Sequence, residues 1–345
     1  MTDLQRFVQR TLLGIAAVFA FTALVATLLW RDRASIEDIH LPPAPHAFTV
    51  PSEVTVTWFG VSTLLFDDGE TQILIDGFVS RPTLYEWLTQ RPVDSDFARV
   101  NWFMNEYRVR RLAAIIPVHS HFDHAMDAGA IANRSSASIL GSESTANIAR
   151  GAGVPEDQIV VVADGAEYAF GNFGVRFIES NHAPIGWAGA TPWSGSNDEP
   201  LVPPAPVSAW REGGSYSVII SHPAGTTLVQ GSGGMKADAL TDVEADTVIL
   251  GVALIEGLGR DYVEAYWRET VTSTGADVVI PVHFDDYTQP FGTIELWPLF
   301  LDDFRNTAEW LVEIRNTWDA DAKIYLPEHG QPIALYAEPE AEPEA

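Results

Sequence analysis

Residues 112–127 read LAAIIPVHSHFDHAMD, an apolar run that ends in three histidines and two aspartates within nine residues. The apolar part has the length of a buried strand, and FDHAMDAGAIA after it has helix-forming character. His119 and His121 are two apart, so on an extended strand end both imidazoles project to the same side. Asp123 and His124 follow at the turn into the helix. Zinc needs nitrogen or oxygen donors converging at about 2 Å, and catalytic sites leave one position for water. Two donors before the turn and two after it could serve two neighbouring cations. Asp127 sits one helical turn beyond Asp123, where it could orient a ligand imidazole. The alternative is a polar loop whose histidines cluster by accident; this spacing behind an apolar strand favours the metal.

Composition limits what such a site can be. The chain has 345 residues, 46% hydrophobic and 19% charged, enough for one large domain with a substantial core. It carries 20 lysines and arginines against 47 aspartates and glutamates, a formal net charge of −27. Such a surface repels nucleic-acid phosphate, and no nucleic-acid partner is expected. Cysteine is absent, so a transition-metal site must use imidazole and carboxylate donors.

Leu12–Trp30 (LLGIAAVFAFTALVATLLW) is uncharged and long enough to cross a bilayer as a helix, with Trp30 where an interfacial aromatic belongs. A cleaved signal peptide is the rival. The apolar run exceeds the usual signal core and no small-x-small site follows, which favours an anchor over residues 1–33. A short positive start before an apolar run favours export of residues 34–345 and a periplasmic or extracytoplasmic domain. Residues 34–52 read as a proline-stiffened linker, 53–336 as one domain without repeats, and AEPEAEPEA (337–345) as a solvated acidic tail. Strand signals at EVTVTWF, STLLFDD, TQILIDG, GVRFIES, YSVIISH, TTLVQGS, DTVILGV and DVVIPVHF, with helical stretches between, predict a layered α/β or α+β domain.

HSHFDH at 119–124 resembles the signature of the metallo-β-lactamase-fold hydrolases, and the order of further motifs agrees with it. ILIDG supplies a strand-end aspartate, Asp76; FIESNHAP supplies a lone histidine, His182; VVIPVHFDD supplies a closing one, His283. The likeness covers about 54–335 and implies an αββα four-layer sandwich. It implies His119, His121 and His182 around one zinc, Asp123, His124 and His283 around another, and Asp76 holding the site's loops. It also implies hydrolysis by a metal-bound hydroxide that Asp123 orients, with an ester, lactone, amide or phosphodiester as the bond cleaved. Iron or manganese stays open as the metal. The alternative function is a non-hydrolytic relative, an iron redox protein or a metal-binding sensor. One departure concerns the metal count: TLVQGSGGM has Ser232 where the family commonly has a bridging aspartate, which weakens the second site.

The chain also resembles the lactonase and phospholipase branch of that family, and with an anchor beside it an amphiphilic or lipid-like small molecule is the expected substrate. The loop APIGWAGATPWSGSNDEPLVPPAPVSAW brings Trp187, Trp193 and Trp210 as candidates for a substrate lid, with plain loop packing as the alternative. A second apolar segment, YTQPFGTIELWPLF, follows His283. His222 is expected at a hairpin turn, structural or exposed, His329 near the last strand, and His40 and His46 in the linker. Asp285 and Asp286 either support the ligands or are simply solvated. Oligomeric state is left open.

Overall fold

The computed structural model describes residues 2–47 and 53–336. The acidic tail and the last part of the proline-rich segment lie outside the described residues.

Helix α1 (Asp3–Arg31) opens on a reciprocal cap, Thr2 Oγ1 accepting from Gln5 N–H and Gln5 Oε1 from Thr2 N–H. None of its residues is buried, and it is long and apolar enough to cross a membrane. The first half of the domain then runs β1 (Val54–Trp58), β2 (Leu64–Asp67), β3 (Gln72–Ile75), α2 (Leu84–Thr89), α3 (Phe97–Glu106), β4 (Leu112–Ile116), α4 (Phe122–Ala125), α5 (Ala128–Ala132), β5 (Ser138–Gly141), α6 (Glu143–Gly151) and β6 (Ile159–Val161). The second half runs β7 (Glu167–Phe170), β8 (Phe173–Ser180), β9 (Ser215–His222), β10 (Gly225–Gln230), β11 (Thr247–Gly251), α7 (Arg260–Trp267), β12 (Val278–Val282), α8 (Phe304–Trp318), β13 (Lys323–Ile324) and β14 (Pro332–Leu335).

These strands form two seven-stranded mixed sheets, ordered β14-β1-β2-β3-β4-β5-β6 and β13-β12-β11-β10-β9-β8-β7. Strand periodicity explains why helices cover them. In β2 to β4 the side chains of Leu64, Phe66, Ile73, Ile75, Ala114 and Ile116 join the core shared with the second sheet. Leu65, Leu74 and Ile115 point the other way and pack with Val100 and Phe103 of α3 and Ile131 of α5. A strand that is apolar on both faces needs cover on both, and the result is the helix–sheet–sheet–helix sandwich. On the second sheet, α7 and α8 provide that cover through Val263, Trp267, Leu311 and Ile314.

The proline-rich segment departs from a free linker as far as residue 47. Ala44 N–H donates to the Leu326 carbonyl (2.9 Å), Leu326 N–H to the Pro42 carbonyl (2.8 Å), and Ala47 N–H to the Pro332 carbonyl (2.9 Å). Ile39 and Ala44 are buried in the core. Prolines lacking an N–H are tolerated along an edge, where their carbonyls still accept, so the segment lies against the domain as a strap.

Candidate metal centre

The strands that carry the site run into it at their C-terminal ends, the edge at which open α/β sheets collect functional groups. His119 and His121 follow β4, Asp76 follows β3, His182 follows β8, Ser232 follows β10 and His283 follows β12. Asp76 and His283 both sit in the left-handed region, at φ 58° and 64°. Each such residue costs about 1–3 kcal/mol and persists where its surroundings over-determine it. Asp76 N–H donates to the Ile116 carbonyl (3.0 Å), and His283 N–H to the Val61 carbonyl (3.0 Å).

Two triads result. The ligand atoms of His119, His121 and His182 lie within 4.8 Å of one another, and so do those of Asp123, His124 and His283. The triads adjoin, since the rings of His119 and His124 have centroids 4.0 Å apart. His119 Nε2 faces His121 Nδ1 at 2.9 Å. Asp123 Oδ2 is 3.6 Å from His124 Nε2 and 3.4 Å from His283 Nε2.

Outward hydrogen bonds set the tautomers. His121 Nε2 donates to the Pro192 carbonyl (2.9 Å), His182 Nδ1 to the Ala183 carbonyl (2.7 Å), and His124 Nδ1 to Asp76 Oδ2 (2.8 Å). Each of these rings therefore turns an unprotonated nitrogen inward. His119 Nδ1 and His283 Nδ1 are buried without a hydrogen-bond partner, so these two rings are held only through their Nε2 atoms, which face His121 and Asp123 inside the cluster. Lone pairs converging from several imidazoles beside a carboxylate repel one another unless a cation lies among them. The residues fit a pair of divalent metals.

Burial and the neighbouring charges set the protonation of these groups. Burial, followed by the neighbouring imidazoles, holds His119 well below its ordinary pKa, and burial with His182 brings His121 down to about 3. Burial also lowers His182. For His124 burial works against the charged form, but the Asp76 and Asp123 carboxylates outweigh it and the pKa rises. Asp123 is buried, which favours its neutral form, yet His124 and His283 hold it below the usual carboxylate range. His119, His121 and His182 thus stand as neutral imidazoles and Asp123 as an ionised carboxylate, the protonation states that bind metal, whereas His124 has to release a proton to do so.

Several expected supports lie elsewhere. Asp127 orients no imidazole: Oδ2 accepts from Val79 N–H (2.8 Å) and Ser80 N–H (2.7 Å), and Oδ1 from the Ser80 hydroxyl (2.6 Å). It faces the loop after β3, and the carboxylate that fixes an imidazole is Asp76. Asp285 is buried, accepting from Val61 N–H (2.7 Å) and pairing with Arg81 (3.4 Å), while Asp286 pairs with Arg33 (2.7 Å). Ser232 turns its hydroxyl to the Asn181 carbonyl (3.3 Å). His222 is structural, its ring against Phe173 and Nε2 3.6 Å from Asp68, and His329 packs among Trp58, Phe59 and Phe291.

The three tryptophans divide. Trp193 stands over the site, its ring 5.7 Å from that of His121. Trp187 is 95% exposed. Trp210 is fully buried in a core cluster with Phe122 and Phe78, so as a lid residue it is a correction. Asn197 staples this loop, donating to the Ala209 carbonyl (2.8 Å) and accepting from Arg211 N–H (3.0 Å).

Sequence reasoning missed four contributors. Ser62 Oγ approaches His124 Nδ1 (3.3 Å) and donates to the Gly231 carbonyl. Tyr287 has its ring 6.2 Å from His283 and 5.7 Å from Phe122. The Pro192 carbonyl orients His121. Gly234 is required by contact, because a Cβ there would lie 2.0 Å from the Asn181 carbonyl oxygen and 2.4 Å from the His182 carbonyl carbon. Of these only Gly234, in the glycine run after β10, carried a local signal.

The profile of the Metallo-beta-lactamase superfamily matches residues 56–231. A metal-dependent hydrolase of Roseiflexus sp. (strain RS-1) is 30% identical over 113 residues, 32% of this chain and 41% of that protein. The chain therefore spans less than half the length of this relative. Among solved structures, a possible metal-dependent hydrolase of Veillonella parvula superposes with a TM-score of 0.51 at 14% identity, covering 82% of this chain and 100% of the other. A metallo hydrolase from the archaeon Ignicoccus hospitalis does so with 0.50 at 16% identity, covering 81% and 97%. At these identities the likeness is one of fold.

Proposed function

Because the chain belongs to the metallo-beta-lactamase superfamily, we propose that it is a metal-dependent hydrolase holding one or two zinc ions in the adjoining triads. The observation that carries this is the pair of triads with their inward-facing nitrogens. Three imidazoles that leave one position open are the donor set of a catalytic zinc site. When bound, such metals polarise a carbonyl or phosphoryl oxygen and lower the pKa of water to about 7.

The chain's own residues hold and orient. Asp123 stays ionised and accepts hydrogen bonds, which suits it to direct a water molecule at a substrate carbon or phosphorus. Asp76 and the Pro192 carbonyl lock the imidazoles. Trp193 and Tyr287, both packed on the buried Phe122, make an aromatic wall beside the metals, and His182, the least buried of the six candidate ligands, marks the side from which substrate arrives. An aromatic wall favours an ester, lactone, amide or phosphodiester with an apolar arm, as in the lactonase and phospholipase branch. We further propose that α1 stays attached as a single-pass anchor with the domain exported. A carboxyl-terminal alkaline phosphatase fusion should then be active and membrane-bound.

Metal analysis of protein purified without added metal, followed by a hydrolysis panel of lactones, nitrocefin, bis-p-nitrophenyl phosphate and acyl thioesters, tests the assignment. Zinc with turnover of at least one substrate class supports it. Iron alone with no hydrolysis overturns it in favour of redox chemistry.

A further inference from the structure

The loop that follows the His283 ligand strand ends in two apolar side chains that face outward, Phe300 at 54% exposure and Leu301 at 36%. Their position is fixed relative to α1. Arg33, just past the helix, pairs with Asp286 (2.7 Å), donates to the Leu296 carbonyl (2.7 Å) and forms a β-bridge with Pro298. Leu299 N–H donates to the Asp32 carbonyl (2.8 Å). The Trp30 ring lies 6.1 Å from that of Phe300, and the Arg33 guanidinium sits 5.4 Å from the Trp30 ring centre. The foot of the apolar helix is thus clasped to the loop carrying Phe300 and Leu301.

From this juxtaposition we propose that Phe300 and Leu301 form a second membrane contact, seating the domain on the lipid surface beside its anchor. This rests on α1 being that anchor. Trp30 closes the apolar run, at the depth where tryptophan settles between headgroups and acyl chains. Phe300 is held against it, so the two side chains sit at the same depth, where exposed apolar groups gain by leaving water. The exposed flank of α1 is continuous with them, with Leu28 and Leu29 also uncovered, and a lipid surface covers all of these at once. The seat is joined to the metal centre. Asp286, the partner of Arg33, is three residues beyond His283, so the membrane contact fixes which way the site faces the bilayer.

The absence of cysteine makes the test direct. Full-length F300C, and S136C as an exposed control, are labelled with a polarity-sensitive fluorophore and reconstituted into phosphatidylcholine vesicles. Flotation first establishes that the chain is held by the membrane. The label at 300 should then emit to the blue of the control and be quenched about twofold more by phosphatidylcholine spin-labelled high in the acyl chain. A chain that floats but whose label at 300 is as water-exposed as the control overturns the seat and leaves the anchor standing. A label shielded from iodide yet untouched by the lipid quencher reports a protein contact, a second copy included, and also overturns it. A chain that does not float overturns anchor and seat together, while the metal assignment stands or falls on its own assay.

Discussion

Asp76 Oδ2 lies 2.8 Å from His124 Nδ1, and the other oxygen of the same carboxylate accepts Val118 N–H at 2.9 Å. One side chain therefore fixes an imidazole of the second triad and the backbone that leads to the first. Its left-handed backbone (φ 58°) aims it there. Asp76→Ala should lower metal affinity about 10–100-fold by freeing the His124 tautomer. It should also cost stability by leaving the buried Val118 N–H unpaired, about 1–3 kcal/mol. Asp76→Asn, which keeps an acceptor but loses the charge, should fall between. Chelator competition followed at a fixed temperature measures the first effect, and denaturant unfolding the second. Unchanged metal retention in the alanine variant would show that the Asp76 bond does not hold His124 in place for metal.

His121 is the test of the other triad. Its Nε2 is occupied by the Pro192 carbonyl and its Nδ1 faces His119. His121→Ala should remove at least one metal equivalent and lower hydrolysis by about a thousandfold or more, because one missing donor of three leaves a poor site. Elemental analysis of the purified variant decides, with circular dichroism confirming the fold. Full metal content would overturn the assignment.

Ser232 bears on the number of metals. Its hydroxyl is engaged with the Asn181 carbonyl, next to His182, and it adds no negative charge between the triads. Titration with a chelator should release the metals in two separated steps, and Ser232→Asp should draw the steps together by strengthening the weaker site. Simultaneous release at high affinity from the unsubstituted protein would count against this.

How much of this could be seen in the sequence follows from the range of each interaction. The ligands at 119–124 lie within one turn and declare themselves by local spacing; Asp76, His182 and His283 stand at strand ends and are legible only through the resemblance to the family's order of motifs. Asp127 misled because helical spacing places a carboxylate near its neighbours, but the sequence does not say that the loop at 79–80 presents two N–H groups first. Trp210 misled because an aromatic in a long loop looks the same whether the loop folds inward or stands open. Ser62, Pro192 and Tyr287 act across sequence separations of 62, 71 and 165 positions to their partners His124, His121 and Phe122, with no local pattern to mark them. The strap at 34–47 reads as a linker by composition, yet backbone bonds to Leu326 and Pro332, invisible to composition, hold it.

The last prediction concerns a carboxyl away from the metals. Asp302 is 2% exposed; its Oδ2 accepts a long bond from Leu254 N–H (3.4 Å), and its Oδ1 has no partner. Burial, aided by the nearby carboxylates Glu256 and Asp303, pushes its pKa from 3.8 up to about 7. The folded chain keeps this proton up to about pH 7, whereas the unfolded chain releases it near 3.8. Between those values the folded state binds more protons, so stability falls as pH rises through the window, and the full penalty is present above it. Asp302→Asn preserves shape and an acceptor but cannot ionise. It should stabilise the protein by on the order of 2–4 kcal/mol at about pH 8.5, with the gain shrinking steadily towards about pH 5. Thermal unfolding of both proteins across that range measures the difference. A gain independent of pH would mean that repacking, and not the buried charge, accounts for it; no gain at high pH would mean that the Asp302 carboxylate is stabilised in a way its partners do not provide.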